Sequence, residues 1–131
     1  MLTLEIKDKV VLVTGSNRGI GTSFVEKALE LGAAKVYATA RNTGNLADLA
    51  AANPERVVLL NLDICNQVQV DAVAAAAQDV DVLINNAGAG GGGAIVAANN
   101  EAPKRMEMDI NYFGTMKMSV TFAPIVKANG G

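Results

Sequence analysis

The 131 residues, half of them hydrophobic and 18% charged, fit one globular domain over 1–131; they are too apolar for a disordered chain and too interrupted for a membrane span of about 20 apolar residues. A net charge of −2 with scattered basic residues leaves no patch for nucleic acid or an anionic membrane surface, so neither is an expected partner. One cysteine, Cys65, and no histidine exclude an internal disulfide framework and the common zinc sites, and a reducing cytoplasm is the simplest location.

Charges interrupt the stretch from Met1 to Lys9 before a signal-peptide core forms, so no export signal is expected. Val10-Val11-Leu12-Val13 then opens a series of short apolar runs. It is followed by the turn Thr14-Gly15-Ser16-Asn17-Arg18-Gly19-Ile20-Gly21. Ile20, Phe24, Ala28 and Leu31 follow at offsets of four, four and three, which predicts a helix burying that stripe and ending at Gly32. The second run is Lys35-Val36-Tyr37-Ala38-Thr39, with Ala40-Arg41 after it. Leu46, Leu49 and Ala50 mark a weaker helical stretch that must stop before Pro54.

The third run, Val57-Val58-Leu59-Leu60, leads to Asp63 and Ile64, and a helix is expected over 66–78. The fourth run, Val80-Asp81-Val82-Leu83-Ile84, ends at Asn85-Asn86-Ala87-Gly88 and a glycine-rich stretch to Gly93, expected to be a mobile loop. Helical spacing resumes over 101–127 in two mostly apolar rows. One holds Met108, Tyr112, Thr115, Ser119, Phe122 and Val126; the other holds Met106, Ile110, Phe113 and Val120. Two rows imply burial on two sides, with Pro124 disturbing the last turns. Runs one, three and four are nearly continuous in apolar character, as in strands covered on both faces. The order βαβαβαβ predicts an α/β fold with a parallel sheet and right-handed crossovers.

The glycine turn carries the chemistry. Lying between a buried strand and an amphipathic helix, its glycines permit positive φ and close approach, and the helix N-terminus offers N–H groups to a phosphate. A tight strand-to-helix turn with no ligand is the competing reading. Asp63 follows a strand's carboxyl end, where open α/β sheets bind ligands, and its carboxylate can accept from an adenine amino group; it can equally cap the helix starting near Asn66. Asn85 and Asn86 can pin the neighbouring strand end while Ala87-Gly88 leaves room for a ribose.

Three residues separate the first two glycines, against one in the common dinucleotide fingerprint. In this the sequence resembles the short-chain dehydrogenase/reductase family, whose signature here is Thr-Gly-x-x-x-Gly-Ile-Gly. Asp63, Asn85-Asn86-Ala87-Gly88 and Asn111 match further family positions in the family's order, so the resemblance runs from Lys7 to Gly131. It implies a Rossmann-like sheet of about four strands in the order 3-2-1-4, helices on both faces, and an NADP(H)-dependent oxidoreductase transferring hydride between a carbonyl and an alcohol. Gly15, Asn17, Arg18, Gly19, Ile20, Gly21, Arg41, Asp63, Ile64, Asn86, Ala87 and Gly88 are the implied cofactor-binding residues, and Asn111 the implied catalytic one, kinking its helix and holding a water in the proton relay.

Cofactor choice turns on Arg41. A carboxylate there would bind the NAD ribose, whereas a guanidinium suits a 2′-phosphate, with Arg18 as a second cation, so NADP is favoured over NAD; a solvated loop arginine is the alternative. The resemblance breaks at the family's Ser and Tyr-x-x-x-Lys. Only Tyr37 and Tyr112 occur, Met116 stands four residues beyond Tyr112, and Ser16, Ser23 and Ser119 follow no fifth strand. Unassisted tyrosine, with a pKa near 10, is a poor base at neutral pH. The expectation is an amino-terminal half, truncated before the fifth strand and inactive alone, either a nucleotide-binding module or an associating half domain. It should form a homo-oligomer through the fourth-strand edge or the last helix.

Overall fold

The computed structural model describes residues 5–96 and 101–131. Four strands, β1 (Val10–Thr14), β2 (Lys35–Ala40), β3 (Val57–Asn61) and β4 (Val82–Ile84), form one parallel sheet in the order β3-β2-β1-β4. This is the order expected of a Rossmann-like half sheet. Register fixes the functional edge: Thr14 lies beside Thr39, and Ala40 beside Asn61, so the carboxyl ends of β1, β2 and β3 align.

The alternation of β1 builds two cores. Val11 and Val13 face α1 (Gly19–Glu30) together with Val25, Ala28, Val36, Ala38 and Leu46; Leu12 faces α3 (Gln67–Ala76) and α5 (Thr115–Ala128) together with Val70, Val73, Met118 and Phe122. Between β2 and β3 a 3-10 turn at Gly44–Leu46 leads into the short α2 (Ala47–Ala52). Asn66 caps α3 by accepting the Gln69 N–H at 3.2 Å. The fourth strand begins two residues later than its apolar run, because Asp81 turns its carboxylate to the Val10 N–H (2.8 Å).

Of the stripe expected on α1 only Ala28 lies on the buried face. Gly21, Val25 and Ala28 are buried, while Ile20 is 71% exposed and Phe24 and Leu31 also face out. Gly21 packs against the Gly15 carbonyl and Asn86, and Val25 rather than Phe24 turns inward. The last helical region is also not uniform: α4 (Glu101–Met108) passes through a π-helical segment, Asp109–Gly114, into α5. The buried row is Gly114, Met118 and Phe122, so of the two expected rows Phe122 alone is buried, with Val126 and Ile110 packed against the core at its edge. Pro124 does not interrupt α5; it and Val120 are exposed, where water can replace the missing N–H.

Candidate functional site

The carboxyl ends of the four strands open into a cavity of about 610 Å³. Gly15, Asn17, Arg18, Gly19, Ile20, Gly21, Arg41, Asp63, Ile64, Asn86, Ala87 and Gly88 all line it, so it gathers every residue expected to bind a cofactor. Ala40, Asn45, Leu62 and Ile110 line it as well. These four carry no sequence signal beyond standing next to predicted positions or at the carboxyl end of a strand.

The β1–α1 turn is shaped by two glycines. Gly15 has φ of +65°, a region other residues rarely adopt. A Cβ on Gly21 would overlap the Gly15 carbonyl and lie 2.7 Å from Asn86 Nδ2. Helix α1 thereby starts directly behind the turn. Its N-cap, Arg18, makes no side-chain cap, and the first turn holds no acidic residue. The contrast is α3, whose first turn receives the Asn66 side chain. The amino end of α1 keeps both its dipole and its N–H groups directed at the cavity rim, an arrangement suited to phosphate.

Thr14 holds the opposite rim, a role the sequence reading missed. Buried at 1% exposure, its Oγ1 accepts the N–H groups of Asn86 and Ala87, each at 3.0 Å. The Asn86 Nδ2 donates back to the Thr14 and Gly15 carbonyls at 3.0 and 3.1 Å. Asn85 does not share this work, because its amide donates to Ser119 Oγ on α5 at 3.1 Å. Of the two asparagines, then, only Asn86 pins the neighbouring strand end.

Asp63 is not the cap of α3, since Asn66 fills that place. One carboxylate oxygen of Asp63 accepts the Cys65 N–H at 2.9 Å. Burial, and secondarily the Asp63 carboxylate, raise the Cys65 thiol above its usual pKa, which argues against a thiolate role there. Arg18 and Arg41 are both exposed on the cavity wall, and the Asn45 amide reaches the Asn17 carbonyl at 3.5 Å. Among the described residues no group of three His, Cys, Asp or Glu is placed to hold a metal ion. No helix among them is long and apolar enough to cross a membrane.

Asn111 sits inside the π-helical segment, and its side chain grips the glycine loop in both directions. Oδ1 accepts the Ala89 N–H at 2.9 Å and Nδ2 donates to the Ala89 carbonyl at 2.8 Å. The loop expected to be mobile is therefore tied down at Ala89. Neither tyrosine lines the cavity. Tyr37 donates its hydroxyl to Asp79 at 2.8 Å, and Tyr112, exposed, packs edge-on against Phe113 with ring centroids 5.0 Å apart.

Comparison with known proteins agrees with this geometry. A short chain dehydrogenase from Burkholderia cenocepacia, solved in complex with NADP, superposes with a TM-score of 0.90 at 41% identity, covering 98% of this chain and 52% of that one. A short chain dehydrogenase/reductase from Burkholderia phymatum in complex with NAD gives a TM-score of 0.85 at 31% identity, covering 98% and 48%. Galactitol 2-dehydrogenase of Agrobacterium fabrum is 32% identical over 98% of this chain and 52% of its own length. The chain spans about half the length of each of these relatives. The family model described as short chain dehydrogenase matches residues 9–131, and the chain belongs to that family.

Proposed function

We propose that these residues form the cofactor-binding part of an NADP(H)-dependent oxidoreductase that exchanges hydride between nicotinamide and a carbonyl or alcohol. The carrying observation is the uncapped amino end of α1 behind the Gly15–Gly21 turn, facing the same cavity as Arg41 and Asp63. A dinucleotide fits this donor set. The pyrophosphate would meet the N–H groups of Gly19, Ile20 and Gly21, the 2′-phosphate would meet Arg41 and Arg18, and the adenine amino group Asp63. Asn17 and Ile64 would flank the adenosine half, while Asn86, Ala87 and Gly88 would border the nicotinamide ribose. Bound there, the cofactor supplies the hydride; the chain's own residues bind and orient it.

Asn111 is the one proposed catalytic residue, its π-helical backbone offering a place for a relay water. No Tyr in this sequence is followed four positions on by Lys, and neither tyrosine lines the cavity. The 131 residues alone are accordingly proposed to bind cofactor without turnover, in a reducing cytoplasm where Cys65 stays free. Thermal-shift titration with NADPH and NADH, beside a carbonyl panel followed at the NADPH absorbance, tests the reading. Stabilisation by NADPH without turnover supports it; absence of any nucleotide effect refutes cofactor binding, and turnover refutes the inactive half.

Self-association is part of the same proposal. The solvent side of the last helical region exposes Met108, Tyr112, Phe113, Met116 and Val120, and among the described residues β4 pairs on one side only. A homo-oligomer covering the helix row or the strand edge would remove that apolar surface from water. Size-exclusion chromatography with light scattering should report a dimer or larger at micromolar concentration, and a well-behaved monomer would overturn it.

A further inference from the structure

The glycine loop is held at a second point that the cofactor argument does not use. Glu107, on α4, accepts the Gly91 N–H at a carboxylate oxygen, and Lys104 Nζ lies 3.3 Å from both of its oxygens. The Gly91 N–H, and then Lys104, hold the Glu107 carboxyl below the usual carboxylate range. The fit is close: a Cβ on Gly91 would lie 2.8 Å from Pro103 Cβ and 3.1 Å from Glu107 Oε1. Four residues beyond Glu107, Asn111 holds Ala89 by two hydrogen bonds. Residues at i and i+4 lie on one side of a helix, so the two grips act on alternate residues of the loop. The loop leaves the cavity at Gly88, where a Cβ would stand 3.2 Å from Asn111 Oδ1.

We propose that Glu107, paired with Asn111, is a positioning residue that fixes the glycine loop where it leaves Gly88, at the rim of the cleft's nicotinamide end. This rests on the dinucleotide reading above. Glu107 does not line the cavity, so its influence on a ligand passes through the Gly91 main chain. A ligand held chiefly at Arg41 and Asp63 would feel the loop less than one that extends to Gly88.

The test compares NADPH with 2′,5′-ADP, which carries the 2′-phosphate but no nicotinamide, by fluorescence and calorimetric titration of the whole chain. E107A should weaken NADPH about tenfold and leave 2′,5′-ADP within about twofold. E107Q, which keeps an oxygen acceptor for the Gly91 N–H, should restore most of the NADPH affinity. G91A, whose added Cβ would press on Pro103 and Glu107, should reproduce the selective loss. Unchanged NADPH binding in E107A, or equal loss of both ligands in E107A and G91A, overturns the positioning role. Failure of the unmodified chain to bind 2′,5′-ADP overturns the cofactor reading, and the inference falls with it.

Discussion

Two glycine-rich segments border the same cavity and are held by opposite means. The Gly15–Gly21 turn is fixed at its main chain: Gly21 packs onto the Gly15 carbonyl, α1 begins at once, and the Asn86 amide donates to that same carbonyl. The loop from Gly88 to Gly93 has no regular structure of its own and takes its position from side chains on α4 and the π-helical segment. The first leaves no room for a Cβ at Gly15 or Gly21; the second is placed by Asn111 and Glu107, which reach it. Glycine content alone therefore says nothing about mobility. What matters is whether the backbone N–H groups find fixed partners.

The sharpest way to break the first segment is Gly21→Ala. Its methyl group would meet the Gly15 carbonyl and Asn86 Nδ2 with no flexible neighbour to yield. Overpacking of this kind should lower stability by about 2–3 kcal/mol, read from urea unfolding, and remove nucleotide-induced stabilisation. Retention of both would mean that α1 can slide away from the turn.

Thr14→Val attacks the joint between the two segments. Valine keeps the shape but strips the acceptor from the Asn86 and Ala87 N–H groups, for an expected loss of about 2 kcal/mol in the same unfolding experiment. Thr14→Ser should recover most of it. If valine is neutral, water or another group is satisfying those donors, and the joint is not what sets the start of the second loop.

These two substitutions also mark the limit of what the sequence discloses. The strands and the phosphate turn were legible because each depends on neighbours in sequence, Val10 to Thr14 and then Gly15 to Gly21, whereas the strand order came from the family resemblance alone. The α1 face was misread because hydrophobic spacing favours Ile20 and Phe24, while in the fold Gly21 packs against the Gly15 carbonyl and Val25 turns inward. The Thr14 bridge spans 72 residues to Asn86, and no local pattern encodes a contact at that range. Glu107 looks in sequence like any solvated helix carboxylate, and only the loop folding back onto α4 gives it a partner. The π-helical segment and the uninterrupted passage of α5 through Pro124 likewise follow from packing and exposure rather than propensity.

Arg41→Asp sharpens the comparison at the far end of the cavity. It leaves both glycine segments in place and should weaken NADPH about tenfold more than NADH in parallel titrations, with the difference shrinking as salt is raised. Equal weakening of the two cofactors would refute the 2′-phosphate assignment.

The smallest effect is expected at Asp79, where a polar cluster lies at the amino end of β2, remote from both glycine segments. The Asp79 carboxylate accepts from Lys35 Nζ and from the Tyr37 hydroxyl. Burial pushes the Asp79 carboxyl upward, but the Lys35 and Tyr37 hydrogen bonds outweigh it and the net shift is downward from 3.8. A carboxyl depressed in the folded state adds stability above its unfolded pKa and loses it as pH falls through the lower folded value. Lys35 is shifted the other way, raised chiefly by the Asp79 hydrogen bond, so its share is present below about pH 10.5 and is lost on strong alkalinisation. Asp79 is 46% exposed, so solvent screening keeps the pair's worth under about 1 kcal/mol. Asp79→Asn should therefore flatten the fall in stability below about pH 4 by a fraction of a kcal/mol while leaving NADPH affinity unchanged. A change in that affinity would mean the two ends of β2 are coupled, and the glycine segments could no longer be treated as fixed only by the contacts around the cavity.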